Sequence, residues 1–132
     1  MKPFRYALDP VCLAGVLIYA ANRWLVKPHL ASVFLRNHFN DLLLLPCLLP
    51  PVLWLHRRLG WRRGDDPPAP AEIVFHWVVW SVFFEVLGPQ LDRRVTGDWR
   101  DVVAYAVGGL LAGVWWNRHR WSQPTLIRRT RR

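Results

Sequence analysis

The stretch Phe83–Gly109, FFEVLGPQLDRRVTGDWRDVVAYAVGG, determines how this sequence is interpreted. It joins two strongly apolar segments through a loop with three Asp, three Arg and a Gln, and a Glu lies just inside the first segment. An ionisable side chain within an apolar segment is costly in hydrocarbon and marks a candidate functional site. The stretch therefore predicts two membrane helices joined by a polar turn.

The composition of the whole chain is typical of a small membrane protein. Its 132 residues suffice for one domain, 52% of them are hydrophobic, and the formal net charge is +9. The basic residues lie in short clusters between long apolar runs, whereas a nucleic-acid-binding domain spreads them over a polar face. The pattern predicts membrane lipids as partners and disfavours nucleic acid.

Four apolar segments are predicted to cross the membrane, because a hydrocarbon core about 30 Å thick needs roughly 20 apolar residues. They lie within one domain, residues 1–117, before a basic cytoplasmic tail, residues 118–132, and cover residues 10–26, 41–56, 71–91 and 99–116. Pro46, Pro50 and Pro51 predict a kink in the second helix, since each lacks a backbone donor, and a broken helix is the alternative. The expected fold is an all-α membrane protein, a bundle of about four transmembrane helices.

Polar and small residues predict the helix ends and contacts. Asp9 can cap the first helix, and Asp98 can cap the fourth, where Asp101 stands three residues on as an approximate capping box. Gly109 and Gly113 form a small-xxx-small pair that permits close helix contact. The two cysteines, in the first and second segments, are expected as buried thiols.

The Lys and Arg residues predict the orientation. Twelve of the 18 fall on the side of both termini, which predicts that both termini are cytoplasmic and that the Phe83–Gly109 loop faces outward. The segment of residues 26–40 between the first two helices is predicted to be amphipathic and interfacial, and no chemistry is assigned to it.

The outward loop carries the candidate site. Glu85 needs a cation or a proton to lie in hydrocarbon, and Arg93, Arg94 and Arg100 follow closely enough to supply the charge. Arg also binds phosphate or carboxylate bidentately, so a headgroup-sized polar site is expected. The predicted ligand-binding residues are Glu85, Gln90, Arg93, Arg94, Asp98, Asp101, Asn40 and Asp41. The alternative is an ion network that only fixes the turn, with Asp98 and Asp101 as caps.

The segment from Glu85 to Gly113 resembles the signature of the VanZ-like family of small bacterial membrane proteins. The matching positions are Glu85, Gln90, Arg93 or Arg94, Asp101, Gly108 and Gly109. Tyr105 stands where the family has an Asn, and Gln90 lies later than the usual spacing. Named members are linked to lowered susceptibility to glycopeptides such as teicoplanin. The resemblance implies a multi-pass protein of the bacterial inner membrane with an envelope role, in which a lipid or lipid-linked precursor is bound.

Two other functions stay open at this point. Short helices and the basic tail also suit an accessory subunit of a larger membrane complex, with a protein partner or a homo-oligomer. An enzyme or transporter is disfavoured, because the sequence has no nucleophile elbow, no phosphate loop and no metal-spaced His or Cys set. Glu85 with Asp101 is the one pair that could do acid–base chemistry. No catalytic residue, cofactor or metal site is predicted.

Overall fold

The computed structural model describes residues 3–26, 29, 32–33 and 37–121, and this part of the chain is all-helical. Four helical stretches follow a short 3₁₀ turn, Tyr6–Leu8. They are α1, Pro10–Ala21, which continues as a π-helical turn, Asn22–Val26; α2, Phe39–Arg58; α3, Pro70–Leu91; and α4, Trp99–Trp121. The predicted all-α fold is confirmed. Most of the predicted interfacial segment and residues 122–132 of the tail lie outside the described residues.

Two of the described helices are long and apolar enough to cross a membrane. α2 has 20 residues and α3 has 22, and only 28% and 11% of their most apolar windows are buried inside the protein. α1 is a shorter apolar helix, and α4 is less apolar because Arg100, Asp101 and Asn117 lie within it. The apolar surface of α3 therefore faces mainly outward, whereas most side chains of α2 are buried or partly buried.

The first and fourth helices begin where their capping residues predict, whereas α2 begins at Phe39, two residues before the predicted start. The Val11 N–H donates to Asp9 Oδ1 at 2.9 Å, and Pro10 occupies the first turn of α1. α4 ends later than the predicted residue 116, because Asn117 is buried and its Nδ2 donates to the carbonyl oxygen of Pro68 at 2.9 Å. A buried polar residue that has a hydrogen-bond partner is accommodated within a helix, so Asn117 does not end α4.

Proline explains the irregular start of α2. Pro46 has no N–H to donate to the Leu42 carbonyl four residues earlier, and α2 is interrupted between Phe39–Leu42 and Leu44–Arg58. Beyond this point the helix runs on through the later prolines, so it is distorted rather than broken. The Leu42 carbonyl lies so close to Gly108 of α4 that a Cβ at Gly108 would overlap its oxygen.

The same effect shapes α3 at Glu85. Pro89 offers no N–H to the Glu85 carbonyl, and the helix widens into a π-helical turn, Phe83–Leu87, in which the Gly88 N–H donates to the Phe83 carbonyl. Gly97 packs against the released carbonyl, since a Cβ there would lie 2.5 Å from the Glu85 oxygen. Glu85 is thus carried on an irregular turn close to the start of α4.

A third released carbonyl lies in the middle of α2. Pro51 leaves the Cys47 carbonyl without its helical donor, and the Cys12 Sγ of α1 donates to it at 3.5 Å. Both cysteines are free, and Cys12 is buried as predicted, whereas Cys47 is partly exposed.

The core lies between α2, α3 and α4. Leu45, Leu49 and Leu53 recur every four residues and are completely buried, so they form one stripe along α2. Across from this stripe, a Cβ at Gly109 would lie 2.5 Å from Leu45 Cδ1, and one at Gly113 would lie 2.8 Å from Ile73 Cδ1. The predicted close contact at the two glycines is confirmed.

Candidate functional site

Five ionisable side chains meet at the end of the molecule where α2 and α4 begin and α3 ends. We call them the polar cluster: His38, Asp41, Glu85, Asp98 and Asp101. All five are partly buried. Three parts of the chain that are distant in sequence supply them, so only the folded chain brings them together.

Glu85 ties α3 to α4 through two hydrogen bonds. The Asp98 N–H donates to Glu85 Oε2 at 2.6 Å, and the Tyr105 hydroxyl donates to Oε1 at 2.9 Å. Tyr105 itself is buried. Because both donors are aimed at the carboxylate, Glu85 has partners without any basic residue.

These bonds correct the predicted capping box. Asp98 caps α4 as expected, since its Oδ1 accepts the Arg100 N–H at 2.9 Å. The reciprocal bond, to the Asp98 N–H, was assigned to Asp101 and is made by Glu85 instead. The side chain of Asp101 is bound to His38. A residue of the preceding helix thus completes the cap of α4.

His38 was assigned no role from the sequence, yet it lies at the centre of the cluster. Its Nδ1 is hydrogen-bonded to Asp101 Oδ1 at 2.6 Å and lies 3.9 Å from Asp41 Oδ2. The Asp41 carboxyl group also reaches that of Asp101. The signal available in the sequence was the i,i+3 spacing of His38 and Asp41, which places both on one helix face.

Asn40 joins α2 to α1 beside the cluster. Its Oδ1 accepts a hydrogen bond from Asn22 Nδ2 at 2.8 Å, and Asn22 is buried within the π-helical turn of α1. The structure therefore places Asn40, Asp41, Glu85, Asp98 and Asp101 at one end of the molecule, as the sequence predicted.

The predicted arginine network differs. Gln90 is exposed in the last turn of α3, and Arg93 and Arg94 are exposed on the turn that follows. Arg100 lies over the ring of Trp99, 6.0 Å from its centroid. Within the part of the chain that the structure describes, no side-chain nitrogen of Lys or Arg lies within 4.0 Å of a carboxylate of the polar cluster. Glu85 is bonded by a backbone N–H and a hydroxyl group where the sequence predicted Arg side chains, because the turn after α3 directs its Arg side chains outward.

The cluster also brings together metal-ligand types. One ligand atom from each of His38, Asp98 and Asp101 lies within 4.8 Å of the other two. The sequence contains no closely spaced His and Cys set that would indicate a metal site, and these three residues are separated by up to 63 positions.

Comparison of the chain with models of known protein families, with curated proteins and with solved structures gives no match. The resemblance to the VanZ-like family therefore stays a prediction from the motif residues. Tyr105, which stands at the position of the family's Asn, donates a hydrogen bond to Glu85.

An apolar groove runs from beside the polar cluster to the other end of α1. It lies between α1, α2 and α4 and has a volume of about 540 Å³. Residues that line it include Val11, Ala14, Ile18, Phe39, Leu42 and Leu111. Phe39 directly follows His38, so the groove and the cluster are adjacent. A volume of this size is typical of sites for small organic ligands.

The opposite end of the molecule is held by Arg62. Its guanidinium donates to Glu72 Oε1 at 3.0 Å and to the carbonyl oxygen of Asp66 at 2.6 Å. The Tyr6 hydroxyl donates to Asp65 Oδ1 at 2.6 Å, and this bond, with help from Arg57, lowers the pKa of Asp65. These contacts fix the α2–α3 loop, so we regard this end as structural.

Proposed function

We propose that this protein is a VanZ-like integral membrane protein of the bacterial envelope, in which four helices cross the membrane and the polar cluster binds the headgroup of a lipid or lipid-linked precursor. The observation that carries the proposal is the outward apolar surface of α3. The core helix of a soluble protein is mostly buried, but only 11% of the apolar window of α3 is. Contiguous apolar surface of this extent needs lipid or a partner protein to cover it.

Aromatic and basic residues near the helix ends support a bilayer environment. Arg58 lies over Trp54 at 5.1 Å and Arg118 over Trp115 at 3.7 Å, both at the end opposite the polar cluster. Trp and Arg side chains combine an apolar part with a polar end, and such side chains are favoured at the depth of the lipid headgroups. Trp116 lies at the same end, but it is buried and its Nε1 donates to Asp9 Oδ1.

The released carbonyls are also consistent with a membrane setting. Lipid supplies no donors, so backbone groups freed by proline must be covered by the protein. The Leu42 and Glu85 carbonyls each face a glycine, and the Cys47 carbonyl accepts from Cys12. Each is thereby shielded by another part of the chain.

The groove supports a lipid as the ligand. An acyl chain in the groove would have its headgroup beside His38 and Asp41, because the groove ends at Phe39 and Leu42. The excess of basic residues on the side of both termini supports a cytoplasmic location for those termini. The polar cluster would then lie in the outer half of the membrane, where envelope precursors are used.

The proposal is tested in two steps. The tagged protein is expected to stay in membranes washed with alkaline carbonate, which releases peripheral proteins. It is then extracted gently and examined by native mass spectrometry for retained lipid. Ala14→Trp fills the groove and is expected to abolish lipid retention, whereas Leu17→Trp, on the exposed side of α1, is the matched control.

The results separate the candidate functions. Release by carbonate would refute the membrane proposal. Equal lipid retention by Ala14→Trp and Leu17→Trp would refute the groove as the lipid site. A protein partner that is retained by both variants, with no lipid, would favour the accessory-subunit function, since the outward face of α3 could equally pack against another membrane protein.

A further inference from the structure

The three metal-ligand residues of the polar cluster come from the starts of two helices. His38 precedes α2, Asp98 caps α4 and Asp101 lies in the first turn of α4. Their candidate ligand atoms all lie within 4.8 Å of one another, and His38 Nδ1 is 2.6 Å from Asp101 Oδ1. A nitrogen ligand from the start of α2 and two carboxylates from the start of α4 thus converge on one point.

We propose that His38, Asp98 and Asp101 bind a divalent transition-metal ion, Zn²⁺ or Mn²⁺. Imidazole suits Zn²⁺ and carboxylates suit Mn²⁺, so this mixed set selects the borderline ions over Ca²⁺ or Mg²⁺, which take oxygen ligands alone. The ion joins the start of α2 to the start of α4.

The observed distances are close to those of a formed site. Zn–N and Zn–O bonds of about 2.0–2.2 Å put neighbouring ligand atoms of a tetrahedral site about 3.3 Å apart. The His38–Asp101 pair is closer than this because the two atoms are hydrogen-bonded, and an ion between them would replace that hydrogen bond. Asp41 Oδ2, at 3.9 Å from His38 Nδ1, is a candidate for a fourth ligand. Side-chain movements of up to about 1.5 Å bring the set into range.

Charge also favours a cation at this point. Asp41 and Glu85 add two carboxyl groups to those of Asp98 and Asp101, and all four groups are partly buried at one end of the molecule. Like charges repel one another more strongly in a partly buried site than in bulk water. A divalent ion offsets several such repulsions at once, whereas the one imidazole of His38 carries at most a single charge.

The ion would also give the cluster a function toward lipid, a step that rests on the proposed function. A carboxylate-rich site repels the phosphate of a headgroup, but a bound metal ion with an open coordination position accepts a phosphate oxygen. An acidic cluster beside a lipid groove then becomes a phosphate site. The exposed Arg93 and Arg94 would meet the outer part of the same headgroup.

Metal binding is measured on the full chain in detergent after chelation. Zn²⁺ and Mn²⁺ are titrated separately by calorimetry, and bound metal is counted by elemental mass spectrometry. One equivalent is expected for the wild type. Asp101→Asn and His38→Gln are each expected to weaken binding by about 100-fold or more, in line with the loss of a ligand. Asp92→Asn removes an exposed acid from the same turn and is the matched control.

Thermal unfolding and lipid retention complete the experiment. The metal should raise the Tm of the wild type and of Asp92→Asn but not of the ligand variants, which separates lost binding from lost folding. No binding of either ion by the wild type, or equal binding by all variants, would overturn the inference whatever the lipid result. Metal binding with lipid retention unchanged by chelator would leave the metal site standing and refute its role toward phosphate.

Discussion

Replacing Gly108 by Ala should destabilise the protein, because the new methyl group meets backbone rather than a side chain. A Cβ at Gly108 would overlap the carbonyl oxygen of Leu42, and its next neighbours are the Leu42 carbonyl carbon and Cα. The start of α2 must therefore move away from α4. At Gly113 the obstacle is only Ile73 Cδ1, at 2.8 Å, which is the far end of a flexible side chain.

The expected magnitudes follow from this difference. Overpacking costs about 1–3 kcal/mol, with Gly108 at the upper end because a carbonyl group cannot rotate out of the way. Ala is favoured over Gly in a helix interior by about 1 kcal/mol, which offsets part of that cost. The net loss at Gly108 is about 2 kcal/mol, or roughly 6–10 °C in Tm for a chain of this size. Gly113→Ala should be near neutral.

The assay is thermal unfolding in detergent, followed by the fluorescence of the nine Trp residues. Gly113→Ala is the matched control, since it makes the same chemical change on the same helix. A Tm for Gly108→Ala equal to that of Gly113→Ala would refute the close approach of the Leu42 carbonyl to α4.

Three further changes test the contacts at the two ends. Tyr105→Phe removes a hydrogen bond to the Glu85 carboxylate and should cost about 1.5–3 kcal/mol of stability, measured by the same unfolding assay. Arg62→Lys replaces the planar guanidinium, which donates to both Glu72 and the Asp66 carbonyl, by a single ammonium group. The α2–α3 loop should then be more sensitive to limited proteolysis. The Tyr6 hydroxyl lowers the pKa of Asp65, so the contact between these two side chains stabilises the folded state at pH values above the ordinary pKa of 3.8. This contribution should be lost as the pH falls through the lower pKa of the folded state.

Each of these changes has a control in the chain. Tyr19→Phe removes a hydroxyl from an exposed ring, and a stability loss equal to that of Tyr105→Phe would contradict the Glu85 bond. Arg63→Lys alters an exposed neighbour of Arg62, and equal protease sensitivity would contradict the role of Arg62. Asp65→Asn should flatten the acid dependence of stability below pH 4, and an unchanged profile would show that another group titrates there.

Most helix positions could be predicted from the sequence, because their start signals are local. Asp9 with Pro10, and Asp98 before Trp99, satisfy backbone donors within the next turn, so no distant contact is needed to recognise them. The end of α4 could not be predicted in this way. Asn117 looks like a stop after an apolar run, and only its bond to the Pro68 carbonyl explains why the helix continues.

Only part of the candidate site could be predicted from the sequence, for the same reason. The acids Asp41, Glu85, Asp98 and Asp101 could be grouped once the helices were expected to alternate in direction. Their partners could not be assigned, because sequence distance favoured the nearby arginines. His38 was missed because its contact with Asp101 spans 63 positions and depends on how α2 packs against α4.

The bond from Glu85 to the start of α4 has a consequence for how the chain is made. α4 is the least apolar long helix, its cap is completed by α3, and its glycine face fits only against α2 and α3. On the proposed topology of four membrane-crossing helices, we expect α1, α2 and α3 to insert into the bilayer independently during synthesis and α4 to insert only after them. Glycosylation mapping of nascent chains should find that α4 alone fails to insert and that Glu85→Ala delays its insertion in the full chain.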